Sequence, residues 1–486
     1  VQIHTIFRKP WRPGTLSILD ISAGAQLIWR LPLSALLEEQ DMESCSSDEA
    51  PSWLRVDLRF VIAIIILVGV VTATTIRFAH EVFDPLAESL MLQGWAAVIA
   101  RPSLLWFTMG MLLLVIRTLL WVRYRPFAAV SVEHAPRLSI VIPAYNEGAM
   151  VRKAVDACAR AEYPHERLEI IVVNDGSTDE TGIHVDQAQQ DHPHLVQAIH
   201  LPTNGGKRAA LAAGFARATG EIIVTVDSDS LIERGALLAI AGPFRDGKVG
   251  AVAGKVCVLN RFQSILPRML HVRFVLSFDF LRSVQSSYGT VYCCPGALSA
   301  YRASAIKPLV PAWLRQRFLG TECTIGEDRA LTNDVLASGY KAVYQRLAVV
   351  HTIAPDSYRQ LCKMFIRWDR SYIREEIRLW KIMWKLPFPA LVLTILETTI
   401  TNLRYPVAYG SLFLMIALSL QDPWTIVRLL LSIGLVSVFY TLYFFQSERS
   451  REFLFGVLYA YFYFLSLLWI FPYALVTVRN RAWLTR

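Results

Sequence analysis

Charge is scarce in this sequence: only 18% of its 486 residues are Asp, Glu, Lys or Arg, whereas 54% are hydrophobic. That balance excludes an ordinary water-soluble globule and requires part of the chain to sit in lipid. A metal or disulfide framework is also missing. The seven cysteines, Cys45, Cys158, Cys257, Cys293, Cys294, Cys323 and Cys362, form no Cys-x-x-Cys pair with partner histidines, so they read as reduced, cytosol-facing thiols. No secretory leader pattern opens the sequence, and residues 38–49 are acidic and Ser-rich, so 1–57 is expected to be a cytoplasmic, partly disordered segment. The net charge of +9 does not mark a nucleic-acid surface, because Arg55, Arg59, Arg123, Arg125, Lys385 and Arg479 gather beside apolar runs, as in a chain oriented by a membrane.

Between Arg59 and Arg77 lie 17 uncharged residues, and Ser103–Val122 is a second apolar run interrupted only by Arg117. Together they predict a transmembrane helical hairpin over 58–122. Its connection, 78–101, holds few positive charges while Arg123 and Arg125 follow the second run, so the positive-inside tendency places 123–385 in the cytoplasm. After Lys385 come uncharged runs at Tyr405–Gln421, Leu429–Ser447 and Phe453–Val478, with an amphipathic stretch at Leu386–Asn402. Three full crossings there would leave the basic tail outside, so the aromatic-rich Phe453–Val478 is expected to be interfacial or re-entrant. The expectation is a multi-pass protein of the plasma or inner membrane, with lipid as a partner and an even number of crossings.

The central region alternates β-rich runs, 138–142, 169–173, 221–226 and 249–258, with helical stretches such as Glu147–Ala161 and Lys207–Ala218. This is the pattern of an α/β domain on a largely parallel sheet. Its early strands end in polar clusters around Tyr145, Asp175 and Asp227, and the carboxyl ends of such strands are where ligands bind.

Asp227-Ser-Asp places two carboxylates at a strand end, where they can face a divalent cation or cap a helix. Tyr145-Asn-Glu and Asp175-Gly-Ser-Thr-Asp supply an aromatic face and carboxylates able to hold a base and ribose, or form common turns. Asn204-Gly-Gly-Lys-Arg brings amides and two cations to a helix start, a place for a diphosphate or an ordinary surface turn. In Gly326-Glu-Asp-Arg, Glu327 or Asp328 can take a proton from an acceptor hydroxyl, or the pair can serve as an acidic first turn. Arg367-Trp lies in a basic helix that can meet sugar and phosphate or rest on acidic headgroups.

In their order along the chain, Ile142-Pro-Ala-Tyr-Asn-Glu, Asn174-Asp-Gly-Ser, Gly206-Lys-Arg, Asp227-Ser-Asp, Cys293-Cys-Pro-Gly-Ala-Leu-Ser-Ala-Tyr-Arg, Gly326-Glu-Asp-Arg, Arg367-Trp and the tail from Arg479 resemble the processive family 2 glycosyltransferases. Hyaluronan synthases and rhizobial chitin-oligosaccharide synthases are the most similar. The resemblance covers about 120–486 and implies a cytoplasmic GT-A, Rossmann-like domain set between transmembrane helices. It implies that Tyr145, Glu147, Asp175, Lys207, Asp227 and Arg367 bind a UDP-sugar donor and that Asp229 holds Mg²⁺ or Mn²⁺. It further implies that Asp328 is the base and that Trp368 and Glu327 meet a growing polysaccharide acceptor. Cys294, Trp483 and Arg486 would belong to gating segments.

One position departs from the pattern. The family's Gln-x-x-Arg-Trp stands here as Met364-Phe-Ile-Arg-Trp, exchanging an amide for a thioether on the acceptor side. The implied reaction is inverting transfer with the polymer passed across the membrane in 386–486. Two other readings share some features: a non-processive transferase acting on a lipid phosphate, and a non-enzymatic membrane transporter with a nucleotide-sensing domain. The latter leaves Asp229, Asp328 and Trp368 without a common purpose.

Overall fold

The computed structural model describes residues 58–77, 102–420 and 422–480. The expectations for 1–57, for the connection 78–101 and for Trp483 and Arg486 lie outside the described residues. Two helices, α1 (Leu58–Arg77) and α2 (Pro102–Arg123), pack on one another ahead of the α/β layer. Its strands are β1 (Leu138–Ala144), β2 (Leu168–Asn174), β3 (Val196–His200), β4 (Ile222–Val226), β5 (Ser230–Ile232), β6 (Val249–Val258), β7 (Leu298–Arg302), β8 (Arg317–Phe318), β9 (Thr321–Glu322) and β10 (Lys341–Thr352).

Apart from the small β8–β9 hairpin, these strands form one sheet in the order β3-β2-β1-β4-β7-β6-β10-β5. β3, β2, β1 and β4 run parallel, β7 is antiparallel to β4 and β6, and β10 is parallel to β6. The C-terminal ends of β1, β2, β4 and β10 therefore share one edge with the N-terminal end of β7. Every residue of β1 is buried, as befits a Val- and Ile-rich strand covered on both faces. The crossovers run through α3 (Met150–Ala159), α4 (Thr181–Asp191) and α5 (Lys207–Arg217), of which α5 packs on β1 and β2.

A second group of helices follows: α6 (Ile265–Val275), α7 (Glu327–Ala337), α8 (Tyr358–Ile382), α9 (Phe388–Ser419), α10 (Trp424–Glu448), α11 (Phe453–Ser466) and α12 (Ile470–Val476). Ser357 caps α8 by accepting from the Gln360 amide at 3.4 Å. The amphipathic stretch and the first apolar run expected after Lys385 form a single helix, α9, of 32 residues. Pro406 lies inside it without ending it, the tolerance expected where neighbouring helices support the backbone. Among the described residues, α10 is by itself long and apolar enough to cross a membrane, while α11 and α12 form an apolar pair bent by 51°. That bend matches a broken or re-entrant segment at Phe453–Val478.

Arg117, the one charge in the second apolar run, is buried in a two-pronged pair with Glu397 of α9, at 3.0 and 2.6 Å. At the junction with the sheet, Asp279 accepts from Lys255 at 2.9 Å and Tyr344 at 2.9 Å. Its backbone carbonyl accepts from the Trp121 indole at 2.7 Å, which joins α2 to β6 and β10. Buried carboxylates persist only with such partners.

Candidate active site

The shared sheet edge gathers the polar clusters into one chain of contacts. The turn after β1 leans on the turn after β2: the amides of Glu147 and Gly148 each donate to Thr181 Oγ1 at 2.8 Å, and Asn146 Oδ1 accepts from Thr178 at 2.9 Å. Tyr145 is half-buried beside them. Asp175 is buried and its Oδ1 accepts from the Gly205 amide at 2.9 Å, which holds the loop leading into α5. Burial lifts its carboxyl above the usual aspartate range, opposed by the amides of Gly205 and Gly206.

From that loop Lys207 enters the centre of the site. Its Nζ lies 2.5 Å from Asp227 Oδ1 and 3.1 Å from Glu327 Oε1, so one cation joins the end of β4 to the start of α7. Burial acts to lower the ammonium, but Asp227 and Glu327 outweigh it and hold Lys207 above its ordinary value. The same pairing reverses the effect of burial on Glu327 and keeps that carboxyl below its ordinary value, with Arg367 contributing. Asp328 goes the other way: burial and the adjacent Glu327 charge raise it. Two neighbouring carboxylates are thus driven apart, one kept ionised and one made more basic.

Asp328 accepts at Oδ1 from the Arg329 amide at 2.7 Å and at Oδ2 from the Cys293 thiol at 3.5 Å. Burial and the Asp328 charge hold Cys293 in the thiol form, so it serves as a donor. Cys294 is fully buried and its amide donates to Thr332 Oγ1 at 3.0 Å, so it is Cys293 that reaches the acid. The pocket between these groups is lined by Lys207, Asp227, Gly296, Trp313, Glu327 and Asp328 among others.

Asp229 lies toward β10, buried, with its Oδ1 3.2 Å from Ser230 Oγ and 3.5 Å from Thr352 Oγ1. Among the described residues no group of three or more His, Cys, Asp or Glu is arranged to hold a metal by itself. Trp368 stands apart from the carboxylates on α8, partly exposed, with Phe365 at 5.7 Å, Phe274 at 6.3 Å and the Arg273 guanidinium 5.5 Å from its ring. Met364, one turn earlier, packs half-buried on the hydrophobic core. Nearby Asp369 is pushed up to about 6 by burial, against the pull of Arg273 and Arg404.

The structure also turns one motif residue inward. Arg208, expected to stand beside Lys207 as a second cation for a diphosphate, is 5% exposed and donates to the Trp313 carbonyl at 3.0 Å and Gln316 Oε1 at 2.8 Å. Trp313 belongs to no motif, and Arg374, one of the cations of the basic helix that carries Arg367-Trp, turns inward and donates to the Ile325 carbonyl at 2.6 Å. Gly326 is left-handed at φ 74°, and a Cβ there would lie 1.8 Å from Ser371 Oγ, so glycine alone lets α8 close on the turn before Asp328.

Residues 139–310 match the profile of glycosyl transferase family 2. The chain is 30% identical over 367 residues to an N-acetylglucosaminyltransferase of Azorhizobium caulinodans, covering 72% of this chain and 87% of that one. It is 32% identical over 378 residues to a hyaluronan synthase of Streptococcus pyogenes, covering 77% and 88%. A mannosyltransferase from Pyrobaculum calidifontis, solved with GDP-Man and Mn²⁺, superposes with a TM-score of 0.53 at 20% identity, over 78% of this chain and 99% of that one. The last comparison shows a shared GT-A-like α/β fold. With two relatives matched over most of their length, the chain belongs to the family 2 glycosyltransferases and is a glycosyltransferase related to chitin-oligosaccharide and hyaluronan synthases.

Proposed function

We propose that the chain is a processive, inverting synthase that polymerises sugars from UDP-sugar donors into a GlcNAc-containing polymer of the hyaluronan or chitin type and passes it across the membrane. The observation that carries this reading is the bridge from Asp227 through Lys207 to Glu327, beside the more basic Asp328. In this reading the edge that binds the donor and the group that accepts the proton share one pocket. The names of the relatives from Azorhizobium caulinodans and Streptococcus pyogenes support the sugar class.

In this reading Tyr145, Glu147, Asp175, Lys207 and Asp227 hold the nucleotide. Asp328 takes the proton of the acceptor's terminal hydroxyl, and that oxygen attacks the anomeric carbon on the face opposite the departing UDP. Lys207 and Arg367 oppose the charge left on the diphosphate. Trp368 and Glu327 border the acceptor, and Cys294, Trp483 and Arg486 belong to gating segments. The residue types also fit a hard cation: Asp227 and Asp229 offer oxygen ligands at a strand end, and Mg²⁺ or Mn²⁺ commonly takes one or two carboxylates and completes its shell with phosphate and water. Held there, such an ion would supply positive charge to offset the leaving diphosphate.

The domain assignment is a cytoplasmic segment at 1–57, a transmembrane hairpin at 58–122, a cytoplasmic catalytic domain at 123–385 and membrane and interfacial helices with a gating tail at 386–486. The pairing of Arg117 with Glu397 supports joining both helical parts in one membrane unit. The test is purified protein in lipid, given single and paired UDP-sugars. Polymer digestible by hyaluronidase or chitinase, with UDP released and both lost in EDTA, is the expected result. Transfer of a single sugar to a lipid phosphate without polymer overturns it.

A further inference from the structure

The turn that precedes Asp328 is gripped through its backbone. Three successive carbonyls each meet a side-chain donor from a different element: Ile325 from Arg374 at 2.6 Å, Gly326 from Arg208 at 3.5 Å and Glu327 from the Trp313 indole at 3.2 Å. Arg208 also closes the arrangement on itself. Its guanidinium carbon sits 5.2 Å over the Trp313 ring while one nitrogen holds the Trp313 carbonyl at 3.0 Å, so the cation fixes the residue that fixes Glu327. A planar guanidinium can serve several carbonyls and a ring face together, which an ammonium cannot.

The position of Arg208 in the sequence gives this clamp its meaning. It directly follows Lys207 in the first turn of α5, so adjacent residues send one side chain to the donor edge and the other to the turn carrying the base. The two sites are far apart in sequence, Trp313 lying 105 positions and Gly326 118 positions after Arg208. We propose that Arg208 is a positioning residue for Asp328, locking the base turn to the same helix that presents Lys207, so that donor and base keep one fixed separation. The proposal rests on the reading of Asp328 as the base.

A base displaced by a fraction of an ångström leaves donor binding intact but loses alignment with the acceptor hydroxyl. Such misplacement costs roughly 10- to 100-fold in rate. Arg208→Lys is therefore expected to lower kcat by that factor while the donor KM stays within about twofold, since Lys207 and the strand-end turns are untouched. Trp313→Phe, which keeps an aromatic ring under Arg208 but removes the indole N–H together with the five-membered ring, is expected to lower kcat less, again without a change in donor KM.

The experiment measures kcat, donor KM and direct UDP-sugar binding for both variants and for Arg208→Ala with and without millimolar guanidinium, beside Asp328→Asn. Partial recovery of kcat by guanidinium in Arg208→Ala supports positioning. Wild-type kcat in Arg208→Lys and Trp313→Phe overturns it. So does a loss of rate matched by an equal loss of donor-binding sites and unrelieved by guanidinium, which is the mark of a folding role. If Asp328→Asn keeps its activity, the base reading fails instead, whatever the Arg208 variants do.

Discussion

The two ends of the proposed active site, a donor end and a base end, are built by different means. The donor end is a row of local turns, each belonging to the strand just before it, and each is held by its sequence neighbours or by the next turn along. The base end is a short stretch, Ile325–Asp328, held by Cys293, Lys207, Arg208, Trp313 and Arg374, which come from all over the domain. A nucleotide can be gripped by a rim that yields a little, whereas proton transfer depends on one atom's place. The end with the stricter geometric demand has the longer-range supports.

The largest expected effect separates the ends outright. Asp328→Asn keeps the shape but cannot take a proton, so UDP release in the presence of acceptor is expected to fall by about 10²- to 10⁴-fold while UDP-sugar still binds. Equal loss of binding and turnover would erase the division between the two ends. The same residue sets the pH response. Because burial and Glu327 raise Asp328, and the protonated form is inactive, kcat/KM is expected to decline as pH falls through a value above the ordinary aspartate range. In Glu327→Gln that acid limb is expected to move to lower pH, since a like charge has been removed; an unmoved limb would show that another group titrates.

Trp368→Ala sharpens the comparison from the acceptor side. Loss of a stacking surface is expected to cost about 1–3 kcal/mol of acceptor binding, giving shorter products with donor KM unchanged. Product sizing on gels and a donor titration report the two separately. The smallest effect is placed at the donor end. In Gly296→Ala the new Cβ would lie 2.6 Å from Lys207 Nζ and 3.1 Å from Asp227 Oδ1. The flexible lysine end can give way, so a cost of about 1 kcal/mol, a roughly fivefold rise in donor KM, is expected with kcat nearly kept. A fall in kcat alone would place Gly296 with the base instead.

The same contrast explains what could be read from the sequence. β1, β2 and β4 are Val- and Ile-rich runs ending in polar clusters and β6 is a Val- and Ala-rich run, and all four lie where their patterns place them. β3, β7 and β10 are not among those runs: β3 is a partly exposed edge strand of mixed polarity, β7 is five residues long and runs antiparallel, and Gln345 and Arg346 interrupt the apolar pattern of β10. The approach of Lys207 to Asp227 was implicit in two motifs reading as donor ligands. The inward turn of Arg208 was not, because a cation at a helix start looks like an anion site until Trp313 is known to cover it. The amphipathic stretch Leu386–Asn402 and the uncharged run that starts at Tyr405 are one helix, α9, and the polar residues Glu397 and Asn402 of its first half meet Arg117 and Glu376 rather than a surface.

The pairing of Arg117 with Glu397 bears on how the molecule is assembled during its synthesis. Glu397 is made 280 positions after Arg117, so for most of synthesis the partner does not exist. Until then the Arg117 guanidinium lacks the carboxylate it is buried against in the finished fold, and a buried charge without its partner costs several kcal/mol. The contact that ties α2 to α9 can therefore close only after the whole α/β domain has been translated.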